Sequence, residues 1–309
     1  LEGRAPVPPK AAAIAGLEAQ LRLQDEAAQK LKHVRHERGA LDLETIEARP
    51  VKRDGKVVDL EVIPKSRSRE LVEDFMIAAN SAMARYLEGK NVSSIRRVVK
   101  SPERWQRIVA MAKDLGETLP EEPHAISLSA FLTKRRKLEP EKFADLSLAV
   151  VKLMGPGEYA LERAGQMHTG HFGLAVTDYT HSTAPNRRFS DLITQRLVKA
   201  ALAGKSTPYS DDELEALARR CTEKENDAKK VERQSRKQAA ALFLADRIGE
   251  EFDAVVTGVT PKGTFVRLLH PAAEGRVVKG EQGMDVGEHV RVRLVDTSPR
   301  KGFIDLVRA

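Results

Sequence analysis

Cysteine is almost absent from this chain of 309 residues: Cys221 is the single one. A disulfide framework is thereby excluded, and the lone thiol suits a reducing, cytoplasmic setting. No run of apolar residues is long enough to span a bilayer as a helix, so no membrane is expected among the partners. The first twenty residues are rich in Ala and Pro and lack the basic-then-apolar order of an export signal. Internal repeats and low-complexity tracts are missing as well. What remains is the balance of a globular protein, 41% hydrophobic and 31% charged, long enough for two or three domains with a sizeable core. The net charge is +7. From Glu250 onward nine basic residues face nine acidic ones, so the whole excess lies in residues 1–249. A basic body of this kind suits a polyanion such as RNA or DNA, although many proteins without such a partner share it.

Periodicity places the elements. Leu17, Leu21, Leu23, Ala27, Leu31 and Val34 keep one apolar stripe over a helix from Leu17 to Arg38. Strands are expected over Ala40–Glu47 and over the pair Glu47–Lys52 and Val57–Ile63, which flank the turn Arg53-Asp54-Gly55-Lys56. Helices follow at Ser68–Leu87, Ser101–Leu115, around Leu128–Phe131 and at Pro140–Leu153. A short strand is expected in His171–Val176, then helices at Asp191–Ala203 and Asp211–Arg247. After Gly249 come five short strands, Phe252–Val259, Gly263–Leu268, Glu274–Val278, Val290–Val295 and Phe303–Val307. Five strands in about 60 residues suit a small OB-type barrel. The fold class is therefore α+β, a mixed helix and sheet domain over 1–249 followed by an all-β five-stranded barrel over 250–309.

Two places carry chemistry. Pro185-Asn186-Arg187-Arg188 sets two guanidiniums on a proline turn just before a helix. Planar, permanently charged donor forks there form a clamp for phosphate oxygens. In the long helix, Leu214, Leu217, Cys221, Glu225, Ala228, Glu232, Ser235, Ala239 and Leu242 share one face. That face would carry Glu225 and Glu232 inward, where a carboxylate needs a cationic partner; alternatively the densely charged stretch from Thr222 to Lys237 is simply solvated.

Several segments together resemble the RNase II / RNase R family of 3′-to-5′ exoribonucleases. Arg38-Gly39-Ala40-Leu41-Asp42 is similar to the family's RGALD segment. Leu71-Val72-Glu73-Asp74-Phe75-Met76 through Asn80 resembles its LIEEFM helix. Gly170–Leu174 and the run Tyr179–Asp191 resemble GHFGL followed by YxHFTSPIRRYxD, with Ser182, Ala184 and Asn186 in place of the usual Phe, Ser and Ile. Val231-Glu232-Arg233 resembles the later AER, and the last strands resemble the terminal OB-fold. The resemblance implies that Arg187 contacts the phosphate at the cleavage site and that Glu232 lies near the same 3′-terminal nucleotide, orienting Arg187 or the terminal ribose. It further implies RNA contacts for Glu73, Arg188, Tyr179, Phe265 and His270. A salt bridge to Asp191 is an equal role for Arg188, and Phe265 suits a barrel core as well as a surface. His171 and His181 read as structural.

The family hydrolyses RNA with Mg²⁺ held by a cluster of aspartates in a DxxDxDD-like run, because hard cations need grouped oxygen ligands. No such run occurs here, so no metal ligand is assigned. The resemblance implies that the cluster precedes everything matched and that the chain is the C-terminal part of a nuclease. Its partners would be single-stranded RNA and the N-terminal half of the same protein, acting as a monomer. The alternatives are an RNA-binding fragment or pseudo-nuclease that does not cut, and a protein-binding module built on the long charged helix.

Overall fold

The computed structural model describes residues 1–3, 5–44, 48–63, 65–166 and 169–309, apart from the side chain of Glu141. In chain order the helices and strands are α1 (Pro9–Ala12), α2 (Leu17–Glu37), β1 (Ala48–Arg53), β2 (Lys56–Val62), α3 (Arg67–Gly89), β3 (Ser94–Val98), α4 (Trp105–Asp114), α5 (Ala125–Leu138) and α6 (Pro140–Met154). Then follow β4 (Glu158–Glu162), α7 (Phe189–Leu202), α8 (Asp211–Leu244), β5 (Glu251–Thr260), β6 (Gly263–Leu268), β7 (Glu274–Lys279), β8 (His289–Ser298) and β9 (Phe303–Arg308). They form two units. One takes Leu1–Leu43, Lys65–Pro140 and Ser147–Lys224; the other takes Glu44–Pro64, Glu141–Leu146 and Glu225–Ala309.

In the first unit, α2 ends where the Arg-Gly-Ala-Leu segment begins. Gly39 has φ +95°, its N–H bonds to the carbonyl of His36 and the N–H of Ala40 to that of Arg35. This is a Schellman ending, which needs a left-handed residue. A Cβ on Gly39 would lie 2.6 Å from the backbone nitrogen of Ile126, so glycine is required both by backbone conformation and by the close approach of α5. Helix α3 starts at Ser66, whose hydroxyl caps it, and buries Leu71, Asp74, Ile77, Asn80, Ala84 and Leu87 at steps of three and four.

The apolar stripe expected on α2 is not its packed face. Leu23, Leu31 and Val34 are exposed, at 59%, 37% and 43%, and Ala28 is the helix's buried residue. Charge joins α2 to α3 instead: Arg67 to Asp25 at 2.6 Å, Lys32 to Glu70 at 3.0 Å, and Arg35 to Asp74. The antiparallel pair β3–β4 was not evident in the sequence. All five residues of β3 are buried, Arg96 and Arg97 among them. Arg96 is compensated by Glu88 at 3.3 Å and Glu162 at 3.8 Å, and Arg97 lies 4.8 Å from the centre of the Tyr159 ring. Leu87, Ile95, Tyr159, Ile193, Leu197 and Leu214 form the apolar core around them. Residues 40–44 form no strand, and the remainder of that expected strand, 45–47, lies outside the described residues. The expected strand at His171–Val176 is a single 3₁₀ turn, Phe172–Leu174, flanked by isolated bridges from His171 to Val99 and to Val176. Trp105, 3% exposed, meets the Phe172 ring edge-on and donates its indole N–H to the carbonyl of Pro120.

The second unit holds the five expected strands as a closed barrel in the order β5-β6-β7-β9-β8, antiparallel except where β7 meets β9. Inward residues alternate along each strand, as in Thr264, Val266 and Leu268 of β6 and Ile304 and Leu306 of β9. Leu60 of the β1–β2 hairpin joins this core, as do Ala240, Ala241 and Leu244 of α8. Leu242, expected on the inward face, is 53% exposed; the helix seats its last turns one residue away from the expected stripe. Side-chain amides of Gln234 and Gln238 donate to the carbonyls of Lys301 and Arg300, and Gly302 comes close enough that a Cβ would lie 2.8 Å from that of Lys237.

Gly39→Ala should destabilise the first unit by roughly 3 kcal/mol, combining the left-handed penalty with the clash against Ile126. Chemical denaturation of wild type and variant measures it.

Candidate functional site

The turn between β4 and α7 is held from below by buried polar groups. Asn80 of α3, fully buried, accepts at Oδ1 from both the backbone and the hydroxyl of Ser182, each at 2.9 Å, and donates to the Tyr179 hydroxyl at 3.3 Å. Thr180 donates to the carbonyl of Ile95 at 2.7 Å, and Gln195 to that of Ser182 at 2.8 Å. Ser182, one of the departures from the family pattern, therefore has a structural role of its own.

Asp191, 0% exposed, organises the next residues. Its Oδ1 accepts from the N–H of Ala184 at 2.8 Å and from the Arg188 guanidinium at 2.7 Å; Oδ2 accepts from the Ser190 hydroxyl at 3.2 Å. The carbonyl of Ala184 in turn accepts from the N–H groups of Arg187 and Arg188. The two arginines are thus sorted. Arg188 points inward to Asp191 with its side chain 22% exposed. Arg187 is exposed, and no described residue hydrogen-bonds or ion-pairs with its guanidinium.

Behind the turn four rings stack edge to face: Tyr159 on His181, His181 on Tyr179, and Tyr179 on His171, with centres 5.5 to 5.7 Å apart. The Tyr159 hydroxyl bonds to Nδ1 of His181 at 2.9 Å. Burial, assisted by the charge of Arg97, pushes the His171 imidazole down to about 4, and its Nδ1 accepts from the N–H of Leu174. His171 is therefore neutral at physiological pH. Burial also raises the Tyr179 phenol. Tyr179, expected to contact RNA, is 7% exposed and engaged on its ring and its hydroxyl; it lines a cavity of about 320 Å³ together with Glu73, Met76 and Leu174. Glu73 is exposed on α3 and also edges a second cavity of about 210 Å³, lined by Lys32, Arg35, Asp42, Lys65 and Asp74. Burial raises the Asp74 carboxyl despite Arg35, whereas for Asp42 the charges of Arg136, Lys32 and Lys65 outweigh burial and lower it.

In the second unit, Glu232 is exposed and bonded by Arg236 of its own helix at 2.5 Å; Glu225 pairs with Lys229 at 3.1 Å. Of the two positions the helical wheel left open for these carboxylates, the solvated, ion-paired one holds for Glu232, while Glu225 is half-buried. Phe265 takes the outward phase of β6 and lines a cleft of about 240 Å³ with Lys237, Lys262, Arg276 and Phe303. Phe303, 59% exposed, was not foreseen, although its outward phase beside Ile304 and Leu306 was readable in the alternation. His270 is exposed but does not line that cleft. Among the described residues no three His, Cys, Asp or Glu side chains come together to hold a metal ion.

Asp191→Ala should cost about 3 kcal/mol, because it leaves a buried N–H and a half-buried guanidinium without their acceptor; equilibrium unfolding tests this. The lowered His171 value makes the folded chain bind fewer protons than the unfolded one between about pH 6.5 and 4. Stability should fall as pH drops through that window. His171→Gln should flatten that part of the profile of urea midpoints against pH.

Residues 2–204 match the family model described as RNB domain, and residues 250–309 the model described as RNase II-type exonuclease C-terminal S1 domain. Ribonuclease R 1 of Lactococcus lactis is 30% identical over 250 residues, 77% of this chain and 30% of that protein. RNase R of Mycoplasma genitalium, solved in complex with ribose methylated single-stranded RNA, shares the fold with a TM-score of 0.83 at 19% identity, over 95% of this chain and 50% of that one. Yeast Ssd1, described as a pseudonuclease, follows with a TM-score of 0.60 at 20% identity over 83% of this chain and 33% of its own. The chain spans less than half the length of the curated relatives it matches. The ordered motifs, the outward arginine and the terminal barrel thus come together in a chain that belongs to the RNB-domain ribonuclease family and carries that family's C-terminal S1 domain.

Proposed function

We propose that this chain forms the C-terminal part of a processive 3′-to-5′ exoribonuclease acting on single-stranded RNA. The observation that carries the reading is the unpaired, outward Arg187 on a turn fixed by Asp191, in a member of this family. A guanidinium carried on a fixed turn, with no described residue pairing its charge, is available to phosphate oxygens and to the charge that grows on them during hydrolysis. Water attacks the last phosphodiester and a nucleoside 5′-monophosphate leaves. Glu73, exposed beside two cavities, accepts a hydrogen bond from the terminal ribose. Glu232 of the second unit contacts the RNA once released from Arg236. The barrel grips the strand upstream, with bases against Phe265 and Phe303 and phosphates against Lys237, Lys262 and Arg276.

The Mg²⁺ implied by the family finds no fitting ligand set among the described residues, and no step here runs through it. Its ligands belong, on this reading, to a part of the protein outside those residues. The same observation favours a second reading, in which the chain binds RNA without cutting it.

Arg187→Ala should weaken binding of a single-stranded oligoribonucleotide and lower the slope of log affinity against log salt by about 0.7, the loss of one phosphate contact. In a protein carrying its complete RNB domain, the same change should reduce release of nucleoside 5′-monophosphates by roughly 10²–10³-fold. Wild-type rates in that variant would remove Arg187 from the mechanism. Binding without any monophosphate release, in a protein that contains the complete domain, would favour the second reading.

A further inference from the structure

The turn that presents Arg187 presents an aromatic ring beside it. Phe189, the first residue of α7, is 52% exposed. A large apolar side chain on the outside of a fixed turn needs a reason, since the neighbouring Ser190 and Asp191 are buried and the core of this helix is supplied by Ile193, Leu197 and Val198. The backbone supplies the geometry. Arg188, between the two, is extended, with φ −123° and ψ 122°. Arg188 is turned in and held by Asp191 at 2.7 Å. Arg187 and Phe189, which flank it in sequence, are both exposed, a permanent cation and a flat apolar face two residues apart on a turn whose backbone is already hydrogen-bonded.

We infer that Phe189 is a stacking residue for single-stranded RNA: the ring takes the face of a base while Arg187 holds a phosphate of the same strand. This rests on the RNA reading above and adds to it a residue that discriminates a stacked base from a bare polyanion. Every base offers a π-face, so the contact is tolerant of sequence. Its contribution is insensitive to salt, unlike that of the arginine beside it. The same rigidity that fixes Arg187 limits the ordering that Phe189 would otherwise undergo on binding.

The experiment is fluorescence anisotropy of a labelled oligoadenylate RNA titrated with the 309-residue chain, over a range of salt. Phe189→Ala should weaken binding about tenfold with an unchanged salt slope, and Phe189→Trp should bind within about twofold of wild type or tighter. Arg187→Ala should weaken binding and flatten the slope. Thermal unfolding of each variant accompanies the titrations, and because the ring is exposed the midpoints should match wild type. Wild-type affinity in Phe189→Ala alongside weakened Arg187→Ala would overturn the stacking role and leave the phosphate role standing. Equal weakening by Phe189→Ala and Phe189→Trp would assign the ring to packing against protein and overturn it too. A wild-type chain that binds no RNA at low salt would overturn both this inference and the reading on which it rests.

Discussion

A buried carboxylate holds this site together. Asp191 is fully enclosed, and an enclosed charge is tolerable only where donors surround it. Here the donors are a backbone N–H, a serine hydroxyl and one of two adjacent guanidiniums. Satisfying Asp191 fixes the backbone of the turn, and by drawing one arginine inward it determines that the other faces out. The asymmetry between Arg187 and Arg188, identical side chains one residue apart, follows from that single electrostatic requirement.

The same logic runs through the first unit. Asn80 with Ser182, and Thr180 with Thr194, form buried hydrogen-bonded pairs, Arg96 sits among Glu88 and Glu162, and α2 is joined to α3 by three ion pairs. Such networks tolerate few arrangements, because any displacement leaves a polar group without a partner in a medium of low dielectric constant. They favour one geometry over many, which is what a turn that must present a cation at a fixed point requires. The second unit relies on a conventional apolar barrel core instead.

Much of this was legible in the sequence, for a physical reason. The long helix, the β1–β2 hairpin and the five barrel strands are set by local periodicity and turn chemistry, and these act over a few residues. The motif residues Gly39, Asn80, Pro185 and Asp191 also stood out, and the structure gives three of them tasks: a left-handed helix ending for Gly39, a double acceptor for Asn80 and a buried clamp for Asp191. What was not legible depended on partners distant in sequence. Strand β3 carries two arginines and reads as surface until Glu162 and Tyr159, some sixty residues on, are placed opposite it. The apolar stripe of α2 looked like a packed face, whereas Asp25, Lys32 and Arg35 are charged residues of α2 that meet α3. For Glu232 the helical wheel left an inward and a solvated position open, and the ion pair with Arg236 in solvent decides between them. The sorting of Arg187 from Arg188 could be posed from the sequence but not decided there.

The packing of Trp105 has an optical consequence. It is the chain's single tryptophan, shielded from water and set edge-on against Phe172 in the 3₁₀ turn next to His171. The indole emission of this chain therefore originates in one unit. Emission wavelength follows the polarity around the indole, so a red shift marks the loosening of that unit alone. Far-ultraviolet ellipticity, by contrast, records helices and strands from both. Following the two signals together resolves the melting of the helical unit from that of the barrel without any added label.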